Sequence, residues 1–427
     1  MKHRLFVSSS QRIRALLAAA ALASCTGSAA QMLSLADAQA IAARESPSLA
    51  AQEAAVRAAR EARVGASELP DPKLVAGIEN LPIEGGDRFS LTRDFMTMRK
   101  VGVMQDFVNA GKRQARGDRA EAEARKEVAM LAAAGANLQR DVALAWVETW
   151  IAKMQLDTLR GLEREAALGL SAAEAALAGG KGQASEPLGA EIVVSQLADR
   201  MIDARRATSR ARAQLARWIG DAATRPLGEP PDFTRLPHRH SDLLGNLEDH
   251  PHLAMYAPMQ AMADAEVRLA EAAKRPDWSL EVAYAQRGPA YSNMISVGVS
   301  IDLPIFEARR QNPAIASRLA AAEQVRAQAE DARRAHLADI AALLADWEAA
   351  VERVRRCETE QIPLARARAD AALAAYRGGK AELSTVLEAR RGTIEAQLMH
   401  VQASGDMARA WAQLTFLLPP AAGKVSP

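Results

Sequence analysis

Residues 297–306 read Val297-Gly298-Val299-Ser300-Ile301-Asp302-Leu303-Pro304-Ile305-Phe306, and the opening of that stretch has an earlier counterpart in Val101-Gly102-Val103 followed by Asp106. Outward from this pair the matches keep their order. Pro70-Asp71 with Leu74 returns as Pro276-Asp277 with Leu280, and Glu45-Ser46-Pro47-Ser48-Leu49 returns as Asp249-His250-Pro251-His252-Leu253. Gly179-Gly180-Lys181 with Leu188 returns as Gly378-Gly379-Lys380 with Leu387. Ordered self-similarity means one structural unit used twice. The two repeats cover about 35–220 and 243–418, joined by a connector at 221–242 that is rich in Pro, Gly and polar residues, with a tail at 419–427.

Each repeat predicts the same series of elements. A helix of moderate length stops at the Pro-Asp pair, and two stretches follow in which Val, Ile, Tyr and small residues alternate around turn residues. These predict strands at 73–80 and 99–107 in the first copy, and at 278–286 and 294–303 in the second. Each copy then enters a long helical tract. Leu131, Gly135, Leu138, Val142, Ala145, Thr149, Ala152, Leu156, Leu159, Glu163, Ala166, Leu170, Ala173 and Leu177 alternate steps of three and four, a sustained heptad seam. The spacing predicts long helices over 112–177 and 312–376 and return helices over 186–218 and 382–416, reversed at the glycine pairs. At 1.5 Å per residue the first would be about 100 Å long. The fold class is therefore mainly α with a small β part: duplicated long helical hairpins plus four strands.

Composition agrees with this reading. Of 427 residues 49% are hydrophobic but only 4% aromatic, so alanine and leucine supply the apolar surface, as in long helices. Lys and Arg number 54 against 52 Asp and Glu, and the first 24 residues hold four of the cations (Lys2, Arg4, Arg12, Arg14) and no acid. Removing them leaves 50 against 52, a net −2, which offers nucleic acid no basic field. Residues 1–24 read as an export signal with a short apolar run, Ala15–Ala23. Two cleavage readings follow. Leu22-Ala23-Ser24-Cys25 is similar to a bacterial lipobox, which would make Cys25 a lipidated N-terminus, whereas Ser28-Ala29-Ala30 before Gln31 suits an ordinary signal peptidase. Lipidation of Cys25 is the preferred reading. Beyond the leader no run of 18 or more apolar residues exists, so any bilayer contact falls to strands or lipid.

Hairpins at the same point of each repeat have no place in a simple coiled-coil rod. Strands of about nine residues match a tilted crossing of a bilayer, yet four of them leave two open edges, which hydrocarbon does not tolerate. One chain cannot close a barrel. The smallest membrane barrels have eight strands, so two chains would supply eight and three would supply twelve, and the trimer is expected because it leaves the wider bore.

Three features are similar to the TolC family of outer-membrane efflux proteins. Asp302-Leu303-Pro304-Ile305-Phe306 with Arg309 and the helix from Asn312 resembles its strand-to-helix junction, and Tyr376-Arg377-Gly378-Gly379-Lys380 with Val386-Leu387-Glu388-Ala389-Arg390 resembles its periplasmic tip. The duplicated order of strand pair and long helix is the third. The resemblance implies a homotrimer with a 12-stranded transmembrane β-barrel in the Gram-negative outer membrane, a helical tunnel reaching into the periplasm, and docking on an inner-membrane pump through a periplasmic adaptor (membrane fusion protein). Pro70-Asp71-Pro72-Lys73-Leu74, Asn80-Leu81-Pro82 and Arg93-Asp94-Phe95-Met96-Thr97-Met98 are similar to the branch serving heavy-metal pumps of the resistance-nodulation-division (RND) type. Heavy-metal cations are the expected cargo. The alternatives are a drug or type I secretion channel of the same family, or a periplasmic coiled-coil scaffold or adaptor lipoprotein.

No phosphate-cradling glycine loop, nucleophile elbow or His-Glu-x-x-His helix occurs, so no enzymatic activity and no cofactor are expected. A carboxylate repeated by rotational symmetry makes a ring that concentrates cations. Glu388 leads for such a constriction, with Glu186 and Glu191 from the first copy, and Tyr376 is the gate-side tyrosine by resemblance. Where the family often carries an acid, three residues before Glu388, this chain has Thr385. Gly179, Gly180, Lys181, Gly378, Gly379 and Lys380 at the turns are candidate adaptor contacts. His238, His240, His250 and His252 lie within fifteen positions and carry a ligand type for Zn, Cu, Ni and Co. A polar connector and a helix start account for them without a metal, and that reading is preferred. The methionines at 96, 98, 104, 255, 259 and 262 are assigned to packing over soft-metal ligation on their spacing.

Overall fold

The computed structural model describes residues 32–418 apart from Lys181, Asn246, Glu248 and Asp249. The signal segment, Cys25, Lys181 and the tail therefore lie outside the described residues.

Two short helices, Leu35–Glu45 and Pro47–Ala66, lead to strand β1 (Lys73–Glu79) and strand β2 (Met98–Phe107). Ser46 opens the second helix by accepting from the Leu49 amide at 3.3 Å, with Pro47 in the first turn where no N–H is missed. β1 stops one residue short of the sequence expectation because Asn80 turns into the left-handed region, φ 55°. The first long helix, Ala110–Ala178, and its return, Ser185–Ile219, follow. In the second copy Tyr256–Ala272 precedes β3 (Trp278–Gln286) and β4 (Met294–Ile301). The second long helix begins at Gln311, and its return spans Leu383–Thr415.

The long helices differ in one respect that periodicity does not predict. The first is uninterrupted, whereas the second changes to a π turn at Cys357–Gln361 and resumes as Ile362–Arg377. Pro363 is the cause. It has no N–H for the carbonyl four residues back, and its ring would strike that carbonyl. The wider turn moves the carbonyl away, and the Ile362 amide donates to Cys357 O, five residues back.

The compact units do not coincide with the sequence repeats. One unit comprises 141–235 and 346–412 with the N-terminal helix, and the other 46–140 and 236–345, so each takes pieces of both copies. Within the first unit, Leu156, Leu159, Leu162, Leu197, Met201, Ala204 and Ile394 form a buried cluster across three helices. Leu162 takes the buried place that heptad counting gives to Glu163, and Leu177 is exposed.

The connector is not a loose spacer. Leu227 bridges in parallel to Leu33, and the Phe233 ring lies 5.3 Å from Trp150 and 5.2 Å from Trp411. Three indoles donate to this layer: Trp146 to Leu33 O at 3.0 Å, Trp347 to Phe233 O at 2.9 Å and Trp411 to Arg235 O at 2.9 Å. Each gives a buried or half-buried aromatic the polar partner its N–H needs.

In the second unit the strands form one antiparallel sheet in the order β1-β2-β3-β4. The central pair, β2 with β3, joins the two repeats, and β1 and β4 are the edges. At that joint a Cβ on Gly102 would fall 2.6 Å from Ala283 Cβ and 2.7 Å from Val282 O, so only glycine fits.

Candidate functional site

Alternation along each strand separates the sheet into two chemically different faces. Register aligns Leu74, Val103, Val282 and Val297 in one row across all four strands, and Ala76, Val101, Tyr284 and Ile295 in the next. With Ile78, Val299 and Ile301 they make a continuous apolar surface whose large side chains are 46–77% exposed. At one end of it Phe107 and Trp278 stack, centroids 4.1 Å apart. At the loop end lie Tyr284 and the exposed Phe89, Phe95 and Tyr291, with Arg88 over the Phe89 ring and Arg287 over the Tyr291 ring. An apolar band between aromatic girdles is how a strand surface meets lipid.

The opposite face carries the ion pairs. Lys100 bridges Glu79 at 3.0 Å and Glu281 at 2.7 Å, and Lys73 pairs with Asp106 at 2.7 Å. Between these pairs the face carries small residues, Gly77, Gly102, Ala283 and Ala285, together with Val75, Met98 and Met104. One apolar face and one ion-paired face suit a wall with lipid on one side and water on the other. The two edges are left with hydrogen-bonding groups to satisfy.

The second candidate region is the pair of glycine turns. Gly180 and Gly379 adopt φ +70° and +67°, the left-handed cap that a residue with a Cβ adopts at a cost. The Gly379 amide donates to Tyr376 O at 2.9 Å and the Lys380 amide to Ala375 O at 2.9 Å, closing the helix end. Beside the turns Ala173, Ala190, Leu383 and Val386 form a buried cluster, with Leu373, Tyr376 and Leu387 packed on it. Tyr376 is therefore held by packing next to the reversal. Glu388 and Glu191 are exposed. Glu186 is buried, and its carboxylate accepts from the Gln183 amide at 3.2 Å, so it caps the start of its own helix.

His238, His240, His250 and His252 are not grouped as a metal site among the described residues. His250 pairs instead with His336, Nδ1 to Nε2 at 2.8 Å, and the His252 ring lies 6.3 Å from His336. Among the described residues no three His, Cys, Asp or Glu are grouped as a metal would require. Burial pushes the His252 imidazole below its ordinary value, with Arg140 adding to the effect, and burial does the same to His336. His336 is distant in sequence from His250 and His252, and no local signal marks it. Cys357 is buried, its thiol donating to Gln361 Oε1 at 3.2 Å, and burial pushes the thiol up, away from reactive thiolate chemistry.

With both faces and both turns described, comparison with known proteins decides the family. The family model "Outer membrane efflux protein" matches residues 38–221 and again 246–418, once over each repeat. The chain belongs to that family. Its members are passive channels, not enzymes, and this chain is an outer membrane efflux channel of the TolC type. It is similar to the cobalt-zinc-cadmium resistance protein CzcC of Cupriavidus metallidurans, 25% identical over 309 residues that cover 70% of this chain and 72% of that protein. Among solved structures it is similar to the outer membrane protein VceC of Vibrio cholerae (TM-score 0.75, 21% identity, 90% of this chain and 95% of that one). It is also similar to the channel CusC (TM-score 0.75, 17% identity, 90% and 92%). At these identities the solved structures establish the fold alone. No described helix of this efflux channel is long and apolar enough to cross a membrane.

Proposed function

We propose that three copies of this chain form the outer-membrane exit duct of a tripartite pump that exports heavy-metal cations. The observation that carries the reading is the four-stranded sheet, apolar on one face, ion-paired on the other and open at both edges. Hydrocarbon demands closure of such a sheet, and three copies joined β4 to β1 give a twelve-stranded barrel, within the range known for membrane barrels. Its ion-paired face would line the water-filled bore. The helical hairpins continue the duct into the periplasm, where the glycine turns meet an adaptor bound to an inner-membrane pump of the RND type. Exposed Glu388 and Glu191, each repeated threefold, supply a ring attractive to cations. Acylation of Cys25 adds an anchor in the membrane leaflet. Similarity to the cobalt-zinc-cadmium resistance protein CzcC supports metal ions over organic cargo.

A scaffold lipoprotein has no use for the lipid-suited face. The test has two arms. Full-length protein in lipid should run as a heat-modifiable trimer and conduct ions, and a deletion strain should lose tolerance to Co, Zn, Cd, Cu or Ag but keep tolerance to organic toxicants. A monomer released with soluble periplasmic protein would overturn the channel, and sensitivity to organic toxicants alone would overturn the cargo.

A further inference from the structure

On the apolar face of the sheet one strand residue alone is charged. It is Arg99, in the row Ile78–Arg99–Gln286 at the loop end. Arg99 lies eight residues from Phe107 on β2, which is about 20 Å along the membrane normal at about 3.3 Å per residue and a tilt of about 40°. An apolar band is about 25 Å tall, so the guanidinium stands near the boundary remote from the long helices. The lysines of the opposite face, Lys73 and Lys100, are both paired. Arg99 has no partner among the described residues, and its buried Nε makes no hydrogen bond.

The loops around Arg99 are fixed in place. Thr97 is buried and donates to Asn80 O at 3.0 Å, Asp94 accepts from the Met96 and Thr97 amides at 2.8 and 3.1 Å, and Arg287 donates to Phe95 O. A Cβ on Gly288 would strike Thr92 O, so the β3–β4 turn packs directly on the β1–β2 loop. This frame presents Phe89, Phe95 and Tyr291 to the outside. Phe89 holds a left-handed φ of 55°, which a bulky residue adopts only under constraint; its amide donates to Pro82 O at 2.8 Å, and Arg88 lies over its exposed ring.

Apart from the paired Lys100, the cations at this end are all arginines: Arg88, Arg93, Arg99 and Arg287. A guanidinium fork matches phosphate oxygens two at a time, where a lysine offers only a point charge. Exposed aromatic rings pack on the apolar faces of sugars. A second copy has little to offer here. In a barrel closed β4 to β1, the copy beside β1 presents its turn at 286–294, which contains no acid. Within the β1–β2 loop Asp87 holds Arg93 at 3.5 Å and Asp94 holds two amides, which leaves Glu84 as the one loop acid without a partner among the described residues.

We propose that the loop end of the sheet binds the phosphorylated sugar headgroup of a glycolipid in the leaflet it faces, the outer one when the long helices point into the periplasm. Arg99 and Arg88 hold phosphate, Phe89, Phe95 and Tyr291 pack on sugar, and the acyl chains continue onto Val101 and Tyr284 in the next row. This rests on the lipid-facing reading of the sheet.

The test titrates full-length protein in detergent with diphosphoryl lipid A, monophosphoryl lipid A and phosphatidylglycerol, and measures oligomeric state and ion conductance in parallel. Diphosphoryl lipid A should bind about fivefold or more tightly than either other probe at about 0.15 M salt. Arg99→Gln should weaken it about fivefold, and Arg99→Gln with Arg88→Gln about twentyfold, each cation near the headgroups contributing a similar factor. Arg99→Lys should recover part of the loss, and Arg212→Gln, an exposed cation of the first return helix, should change nothing. Equal binding of phosphatidylglycerol and lipid A overturns the inference, as does unchanged binding by the double variant or full competition by millimolar inorganic phosphate. Loss of the oligomer in both Arg99→Gln and Glu84→Gln also overturns it, by showing that copies of the chain pair these residues. A conducting trimer whose lipid A binding ignores Arg99 and Arg88 sinks this inference alone, whereas a protein that forms no pore sinks the proposed function.

Discussion

Placing one lysine on each face of the sheet separates a lipid-facing wall from an ordinary surface sheet. Val103 sits on the apolar face of central strand β2, in the row Leu74–Val103–Val282–Val297, and is 51% exposed. It lies five residues from Met98 and four from Phe107. With a rise of about 3.3 Å per residue and a tilt of about 40°, that is roughly 13 Å and 10 Å along the membrane normal, close to the middle of an apolar band about 25 Å tall. A lysine at that depth on the lipid face costs about 2–4 kcal/mol, hence about 6–12 kcal/mol for three copies. Ser296 lies at the same level on the ion-paired face, one residue from Val297. Ser296→Lys should cost close to nothing, because water hydrates the ammonium. The assay is the amount of heat-modifiable oligomer in the outer-membrane fraction, with urea titration in lipid vesicles to read the free energy. Val103→Lys should deplete the oligomer strongly, with Ser296→Lys near wild type. Equal behaviour of the two, or the reverse order, would refute the assignment of faces and the barrel with it.

Gly102→Ala drives a methyl group into Ala283 and the Val282 carbonyl, an overpacking cost of about 1–3 kcal/mol, whereas the matching Gly298→Ala meets nothing of its own chain within 4 Å and should cost less; paired denaturant titrations read the difference. Stability should also depend on pH through His252 and His336. Their folded-state values are lowered by burial, so the unfolded chain binds more protons, and the stabilising contribution is full above about pH 6.5 and lost as pH falls through the folded-state values. His336→Asn should flatten that slope in melts taken from pH 7.5 down to 5, and an unchanged slope would assign it to other groups.

Much of this was legible from order alone. The matched Pro-Asp, Val-Gly-Val and Gly-Gly-Lys landmarks placed the strands and helix reversals, because turn chemistry and period-2 alternation are local signals. The seam from Leu138 to Leu159 was legible for the same reason. What escaped depended on contacts distant in sequence. Nothing near His336 announces His250, and the connector's Pro and Gly residues conceal that indoles from three helices hold it. At the turns one residue has a structural role that the sequence does not display. Glu186 looked equivalent to Glu191, and only the geometry of Gln183 shows that it serves as a cap.

The two copies differ where their positions in the assembly differ. Both repeats carry Val-Gly-Val, but Gly102 lies on a central strand where the neighbouring backbone leaves no room for a Cβ, while Gly298 lies on edge strand β4 with open space beside it. Identical motifs are thus under unequal constraint within one chain. If β4 pairs with β1 of another copy, the neighbour sets the space beside Gly298. The same logic applies to the helices. The first long helix is unbroken, whereas the second accommodates Pro363 through a π turn and then runs sixteen residues, Ile362–Arg377, without one fully buried side chain. A segment that buries so little within its own chain draws its stability from neighbours, and in a closed tube those neighbours are other protomers.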